Sequence, residues 1–351
     1  MKRFFCLVAL LALCFCGCSV PPPVPHPGRL SVITTIFPAY DFAKQVFGGK
    51  AEVLMLLPPG VESHAYEPTA QDIIKIQNCD LFIYVGGEAD AWVTRILSAL
   101  GRQVDTLLMM DCVVTMEESE HAHDNGAAHA DGAGNEHASG ADAAHANDAD
   151  AGHTHDADTD HAHDLDDTHT HEESGAPDPH VWTAPQNAIH IIEQIRDRAC
   201  AIDAPNSALY QSNADVYCTQ LETLHQDFSA FFQAAGHPML LFGDRFPLRY
   251  FARAYDLEYF AAFPGCSAEG QPSAATVARL IDTAREKNIK TIFYLEFSNH
   301  QVADSIARAV SGKAALFHSC HNVSRDDLAH GVSYLSLMRQ NLQTLKEAFH
   351  D

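Results

Sequence analysis

The sequence predicts an α/β protein of two lobes, each a parallel sheet flanked by helices, joined by one long rigid helix. Three observations carry this expectation. Short β-rich runs alternate with helical patterns, which argues for parallel sheets wrapped by helices. Four of the runs precede a His-rich acidic segment and four follow it, the natural count for two lobes. Between the segment and the second set lies a sustained apolar stripe over 206–235. There Tyr210, Ala214, Tyr217, Leu221, Leu224, Phe228 and Phe231 alternate spacings of four and three, which is one face of a helix. At about 1.5 Å per residue such a helix reaches roughly 45 Å, longer than one lobe needs. It reads as a spine packed along both lobes; the plainer alternative is a core helix or a coiled-coil partner.

In chain order, Met1-Lys2-Arg3 and the apolar run 4–16 read as the n- and h-regions of a signal peptide, residues 1–18. The run is too short to span a bilayer as a helix, which takes about 20 residues. Its end, Phe15-Cys16-Gly17-Cys18-Ser19, is similar to a bacterial lipobox with Cys18 as the lipidated residue; a plain secretory signal cut nearby is the alternative. Residues 19–29, Pro-rich, suit a stiff tether. The N-terminal lobe spans 30–203, with strands over 30–37, 51–57, 81–85 and 104–109. Thr69 and Asp72 form a helix-capping pair there. The lobe contains the His-rich loop 117–173. The linking helix follows at 204–235. The C-terminal lobe spans 236–351, with strands over 238–242, 257–263, 291–295 and 314–317, and Gly312 ends a helix begun at His300.

The chain has 351 residues, is 46% hydrophobic and carries a formal charge of −24, which argues against nucleic acid as a partner. The charge is local. Residues 117–173 hold 17 acidic side chains and no Lys or Arg, leaving −7 for the rest. The same segment holds 11 of the 22 histidines, including the pairs His121/His123, His153/His155, His161/His163 and His169/His171. It has almost no large apolar side chains, so the composition predicts disorder when metal-free. Imidazoles beside carboxylates make weak, exchangeable metal sites in a negative field, although a solubilising linker would have the same charge. Beyond the signal six cysteines remain: Cys79, Cys112, Cys200, Cys218, Cys266 and Cys320. An even number outside the cytoplasm permits disulfides, and buried free thiols remain an alternative for some of them.

Ligands of open α/β sheets sit outside the carboxyl ends of strands. Just past such ends stand His64, the Asp244-Arg245 pair, and Glu296 with His300; His180 follows the acidic insert in Asp178-Pro179-His180-Val181-Trp182. Neighbouring prolines stiffen the loops of His64 and His180. A lone loop histidine is usually only a surface residue. Three at equivalent places in two lobes point to a metal such as zinc, copper, nickel or iron, with a carboxylate completing four-coordination.

The runs Pro59-Gly60, His64-Ala65-Tyr66-Glu67-Pro68-Thr69, Asp80-Leu81-Phe82-Ile83-Tyr84-Val85-Gly86 and Asp178-Pro179-His180-Val181-Trp182 resemble the metal-specific solute-binding proteins of bacterial ABC importers. A His-rich acidic loop before the last motif is typical of the zinc members. The resemblance implies a metal held between two lobes and passed to a permease in the cytoplasmic membrane. Zinc is then the transported ligand, and the protein is exported, lipid-anchored outside that membrane or periplasmic, and monomeric. His64 and His180 carry over as ligands by motif match. Where the family commonly has a third His, this chain has Arg245, so Asp244 substitutes or the position is vacant. His300 stands at the fourth position, often Asp in manganese members, and a His-rich set favours zinc over manganese. The implied set is His64, His180 and His300, with Asp244 or water. Glu296 is expected to orient ligands or loops by accepting hydrogen bonds. Some zinc members carry a C-lobe disulfide, which makes Cys266–Cys320 the first pairing, with Cys79–Cys112 and Cys200–Cys218 by elimination. The alternatives are a surface adhesin or metal buffer of the same fold, a manganese-specific protein, and a zinc hydrolase. No His-Glu-x-x-His, Gly-x-Ser-x-Gly or Gly-x-x-x-x-Gly-Lys pattern supports an enzyme.

Overall fold

The Leu, Val and Ile residues of β1 (Leu30–Thr34) become fully buried toward its carboxyl end, because strands lie on both of its sides. It pairs in parallel with β2 (Ala51–Met55) and with β3 (Leu81–Tyr84), and β3 pairs in parallel with β4 (Thr106–Leu108). The computed structural model describes residues 28–62, 66–117, 176–236, 238–263 and 271–349. Its second sheet repeats the first. β5 (Leu240–Phe242) lies between β6 (Tyr259–Ala261) and β7 (Thr291–Tyr294), and β7 pairs with β8 (Lys313–Leu316), all parallel. The orders β2-β1-β3-β4 and β6-β5-β7-β8 are one topology used twice. These eight strands coincide with the runs expected to form them, to within two residues at each start.

Helices flank both sheets, and their ends follow local chemistry. α1 (Phe37–Phe47) begins with Pro38 in its first turn, where a missing N–H costs nothing. α2 (Ala70–Asn78) carries the expected capping box between Thr69 and Asp72. α3 (Ala91–Ala99) and α4 (Pro185–Ile202) complete the first half. The spine is α5 (Ser207–Ala235), 29 residues long. The second half holds α6 (Arg249–Ala254), α7 (Ala274–Glu286), α8 (Gln301–Ala309), α9 (Arg325–Ala329) and α10 (Tyr334–Phe349). Gly312 sits in the tight passage from α8 into β8: a Cβ there would meet the Lys290 carbonyl oxygen at 1.9 Å. Among the described residues, no helix is long and apolar enough to cross a membrane.

The buried face of α5 is Tyr210, Ala214, Tyr217, Leu221, Leu224, Phe228 and Phe232; Phe231, expected in the stripe, is only partly buried. The face enters one continuous core that includes Phe42 and Leu81 from the first half and Phe242, Phe251 and Phe317 from the second. A polar node pins three helices within this core. The buried Asp41 carboxylate of α1 accepts from the Tyr217 hydroxyl of α5 (2.8 Å) and from the Tyr334 amide at the start of α10 (3.0 Å). Burial raises the Asp41 pKa, and these donors oppose the rise.

Cys79, Cys112, Cys200, Cys218 and Cys320 are free thiols. The expected pairings Cys79–Cys112 and Cys200–Cys218 are not formed. Cys320 is a buried thiol within the loop after β8, not a disulfide half, and Cys266 lies outside the described residues. The expected signal peptide and the lipidated Cys18 also lie outside them. So do all eight histidines expected to form the auxiliary weak metal sites: His121, His123, His153, His155, His161, His163, His169 and His171. Burial pushes the Cys79 thiol up to about 12 and those of Cys112 and Cys218 up to about 11. Alkylation of the native, non-reduced protein at pH 8 is therefore expected to be slow at these three thiols and complete in denaturant, read by peptide mass mapping. A Cys79–Cys112 or Cys200–Cys218 disulfide peptide would refute it. Tyr217→Phe, which takes a donor from a buried carboxylate, is expected to cost about 1.5–3 kcal/mol in urea unfolding.

Candidate metal centre

Strand order reverses between β1 and β3 in one sheet and between β5 and β7 in the other, and a doubly wound sheet opens a crevice at such a switch point. Both crevices hold cavities. One, of about 300 Å³, is lined from the second sheet by Gly243, Asp244, Leu295 and Glu296, and from the first half of the chain by Val61 and Glu62. A narrow pocket of about 20 Å³, the size of a single water or ion, is lined by Thr35, Tyr66, Val85, Gly86, Asp90 and Trp182 among others. His321 lines both.

His180 is buried in the turn ahead of α4. Asp178 shapes that turn: one carboxylate oxygen accepts from the His180 amide (2.9 Å) and lies 2.7 Å from His180 Nδ1. A carboxylate can only accept, so Nδ1 carries the proton, and in the neutral ring Nε2 keeps its lone pair. The turn is held from the C-terminal half. The Tyr250 hydroxyl donates to the Asp178 carbonyl (2.8 Å), Tyr334 to the Trp182 carbonyl (2.7 Å), and the Trp182 indole to the Ser319 carbonyl (2.9 Å). Gly87, at φ +70°, makes room on the other side: a Cβ there would stand 2.9 Å from Pro179.

His64 lies outside the described residues, and the chain on both sides of it is firmly tied. Before it, Asn322 donates to the carbonyls of Pro58 and Val61 (both 2.8 Å), and the Gly60 amide donates to Val323 (2.9 Å). After it, the Tyr66 hydroxyl donates to Asp72 (3.1 Å), the same carboxylate that receives the Thr69 hydroxyl (2.6 Å).

The remaining expected ligands stand differently. Asp244 lines the cavity, but one of its oxygens accepts from the Arg245 amide (2.8 Å) and the other from the Leu295 amide (3.1 Å). It staples the ends of β5 and β7 together. Arg245 faces Glu62 across the cavity at 3.8 Å. His300 stands outside this lining. It caps α8 in left-handed conformation (φ 44°), with its half-exposed ring against Tyr294 and Nδ1 2.9 Å from Asp304. The loop turns it outward after Ser298 and Asn299, which do line the cavity. Glu296 accepts from the Ser319 amide and hydroxyl (both 2.7 Å) and from the His321 amide (3.2 Å). Burial raises its pKa, and the Ser319 hydrogen bonds pull the other way.

His321 is the residue that sequence reasoning passed over. Its ring centroid lies 5.3 Å from that of His180, perpendicular to it, and 4.8 Å from that of Trp182. The signal was present, because His321 follows the end of β8 in His318-Ser319-Cys320-His321. Among the described residues no group of three or more His, Cys, Asp or Glu could hold a metal ion. What they bring together is one imidazole pair.

Burial pushes the Asp90 carboxyl of the narrow pocket up to about 6, against hydrogen bonds from the Val85 and Gly86 amides and the Thr35 hydroxyl. A pKa raised on folding means the folded state holds the proton longer. Asp90's contribution to stability is therefore complete below about pH 4 and is lost as pH rises through about 6. Asp90→Asn keeps an acceptor for the amides and removes the titration. Urea unfolding of the metal-free protein is expected to show the variant gaining on the parent between about pH 4 and pH 7; a constant difference would refute this.

A family profile described as ZnuA, zinc-uptake complex component A periplasmic, matches residues 32–348. The zinc-binding lipoprotein AdcA of Streptococcus pneumoniae (strain R6) is 28% identical across 99% of this chain and 61% of its own length. The chain thus spans about three-fifths of that relative. The high-affinity zinc uptake system protein ZnuA of Bacillus subtilis is 28% identical across 91% of this chain and 88% of its own. The crystal structure of the Zn(II)-bound ZnuA-like domain of Streptococcus pneumoniae AdcA has the same fold, with TM-score 0.67 at 24% identity over 92% of this chain and 100% of that one.

Proposed function

The chain belongs to the family of periplasmic zinc-uptake component A proteins, and from that membership we propose that it is the extracytoplasmic zinc-binding component of an ABC importer. It is a binding protein and not an enzyme: it captures zinc between its lobes and hands it to a permease in the cytoplasmic membrane, anchored there by lipid on Cys18. The single observation that carries this reading is the Asp178–His180 pair. A buried imidazole whose Nδ1 proton is held by a carboxylate presents Nε2 in a fixed direction, which is how proteins orient histidine toward a metal. His64 joins it by motif. Imidazole donors favour zinc over manganese. The histidines of 117–173 act as an outer, weak collecting surface for the same ion.

Zinc competition titration of the full chain tests this. His180→Ala and His64→Ala are each expected to lose the tight site, and Asp178→Asn to weaken it by about 10–100-fold. Unchanged affinity in both histidine variants refutes the reading. Affinity is expected to fall below about pH 6 as imidazoles protonate. Deleting 118–172 is expected to lower the number of zinc ions bound while sparing the tight site, and unchanged stoichiometry refutes the collecting role. Growth of a deletion strain is expected to fail at low zinc and recover with added zinc, which an adhesin would not require.

A further inference from the structure

The zinc reading uses the carboxyl ends of the strands and leaves their amino ends without a role. A cavity of about 710 Å³, within the size range of ligand pockets, opens at the amino end of the second sheet. Thr291 begins β7 in register with Lys313, which begins β8, and both line the cavity. So do Lys290, just before β7, and Lys287, which follows α7. In a chain of net charge −24, the described residues of this lining include three lysines and no Asp or Glu. Met239 and Phe349 add an apolar wall. Thr291 supplies an independent sign of a ligand. It is 4% exposed, and its hydroxyl has no hydrogen-bond partner among the described residues. A buried polar atom left unpaired is costly, and the cavity that Thr291 lines is where a partner can enter. We propose that this cavity binds a phosphate group carried on an apolar body, with Lys287, Lys290 and Lys313 neutralising the phosphate and the Thr291 hydroxyl donating to it.

A phosphate ester suits this set of groups. It brings nearly two negative charges and three acceptor oxygens, and lysine binds phosphate as a point charge. Two of the lysines are already held in place. Lys290 Nζ donates to the Val310 carbonyl at the end of α8 (2.9 Å), and Lys313 Nζ to the Glu347 carbonyl in the last turn of α10 (3.1 Å). The Lys313 amide donates to the Lys290 carbonyl (2.8 Å), which fixes the two residues side by side. An ammonium has three N–H donors, so serving one carbonyl leaves Lys290 able to serve a ligand. The site stands apart from the zinc reading, because Gly243 and Glu296 of the other cavity lie at the opposite end of the same sheet.

The plain competitor is helix chemistry. Carbonyls that end α7, α8 and α10 favour nearby cations in any case, and a water would satisfy the Thr291 hydroxyl. Thr291→Val keeps the shape and removes the hydroxyl, whereas Lys287→Gln and Lys313→Gln each remove a charge. The full-length, metal-stripped protein is titrated by calorimetry with hexyl phosphate and with inorganic phosphate. It is also co-sedimented with phosphatidylcholine vesicles, with and without phosphatidylglycerol. One hexyl phosphate is expected to bind per chain, more tightly than inorganic phosphate. Each lysine variant is expected to lose about tenfold or more, and Thr291→Val about three- to tenfold. Zinc affinity is expected to stay within about threefold of the parent in all three, which reports that they fold. Binding of hexyl phosphate identifies a soluble ester as sufficient. Binding only to vesicles that contain phosphatidylglycerol identifies a lipid headgroup, and supports the site if the same variants weaken it. No binding to either probe overturns the proposal. Equal affinity for hexyl and inorganic phosphate overturns the assignment of an apolar body. Binding that Thr291→Val leaves unchanged overturns the site whatever the lysine variants do, since it is then diffuse attraction to helix-capping lysines.

Discussion

The arrangement depends on how the buried turn 178–182 satisfies its polar groups. A buried carbonyl or amide without a partner costs about 1–3 kcal/mol, so each one in this turn must find a donor or acceptor nearby. The turn belongs by sequence to the first half of the chain, yet its partners come from the second: Tyr250 for the Asp178 carbonyl, Tyr334 for the Trp182 carbonyl, Ser319 for the Trp182 indole. Tyr250 also receives the Met116 amide, and Met116 in turn accepts from the Asp178 amide, which closes the circuit. His180 is therefore aimed by both halves at once. Asp178 supplies the last constraint, binding amide and ring of the same residue with one oxygen.

Apolar packing supplies the rigidity this circuit needs. The α5 stripe enters a core that neither sheet could form alone, and the Asp41 node fastens α1 and α10 to it with two charge-assisted hydrogen bonds. Tyr334 links the two systems: its amide reaches Asp41, and its hydroxyl reaches the turn of His180.

Much of this was readable in the residues because it follows from short-range periodicity. The eight strands, the Thr69–Asp72 cap and the stripe of α5 each announce themselves within a few turns of chain. The stripe failed at its last step for a geometric reason. Alternating spacings of four and three average about 3.5 residues, and a straight helix of about 3.6 drifts by about 20° per heptad. After about three heptads the buried face has passed from Phe231 to Phe232. The site was half legible. His180 stands in a motif whose Asp178 acts two residues away, so local sequence suffices. The placing of His300 and His321 does not follow from local sequence: both stand after strand ends, yet Glu296 accepts from the amide of His321 while Asp304 meets the half-exposed ring of His300. The cysteines were undecidable for the same reason, since pairing requires distances that composition does not contain.

The grip of Asn322 on Pro58 and Val61 bears on how long a captured ion would stay. Prising the lobes apart would expose the α5 stripe to water, whereas parting the β8 loop from the Pro58–Val61 segment breaks a few hydrogen bonds worth about 1 kcal/mol each. Stability and residence time are thus assigned to different parts of the molecule. Evolution could retune the dwell of the cargo through Asn322 while leaving the core of the fold untouched.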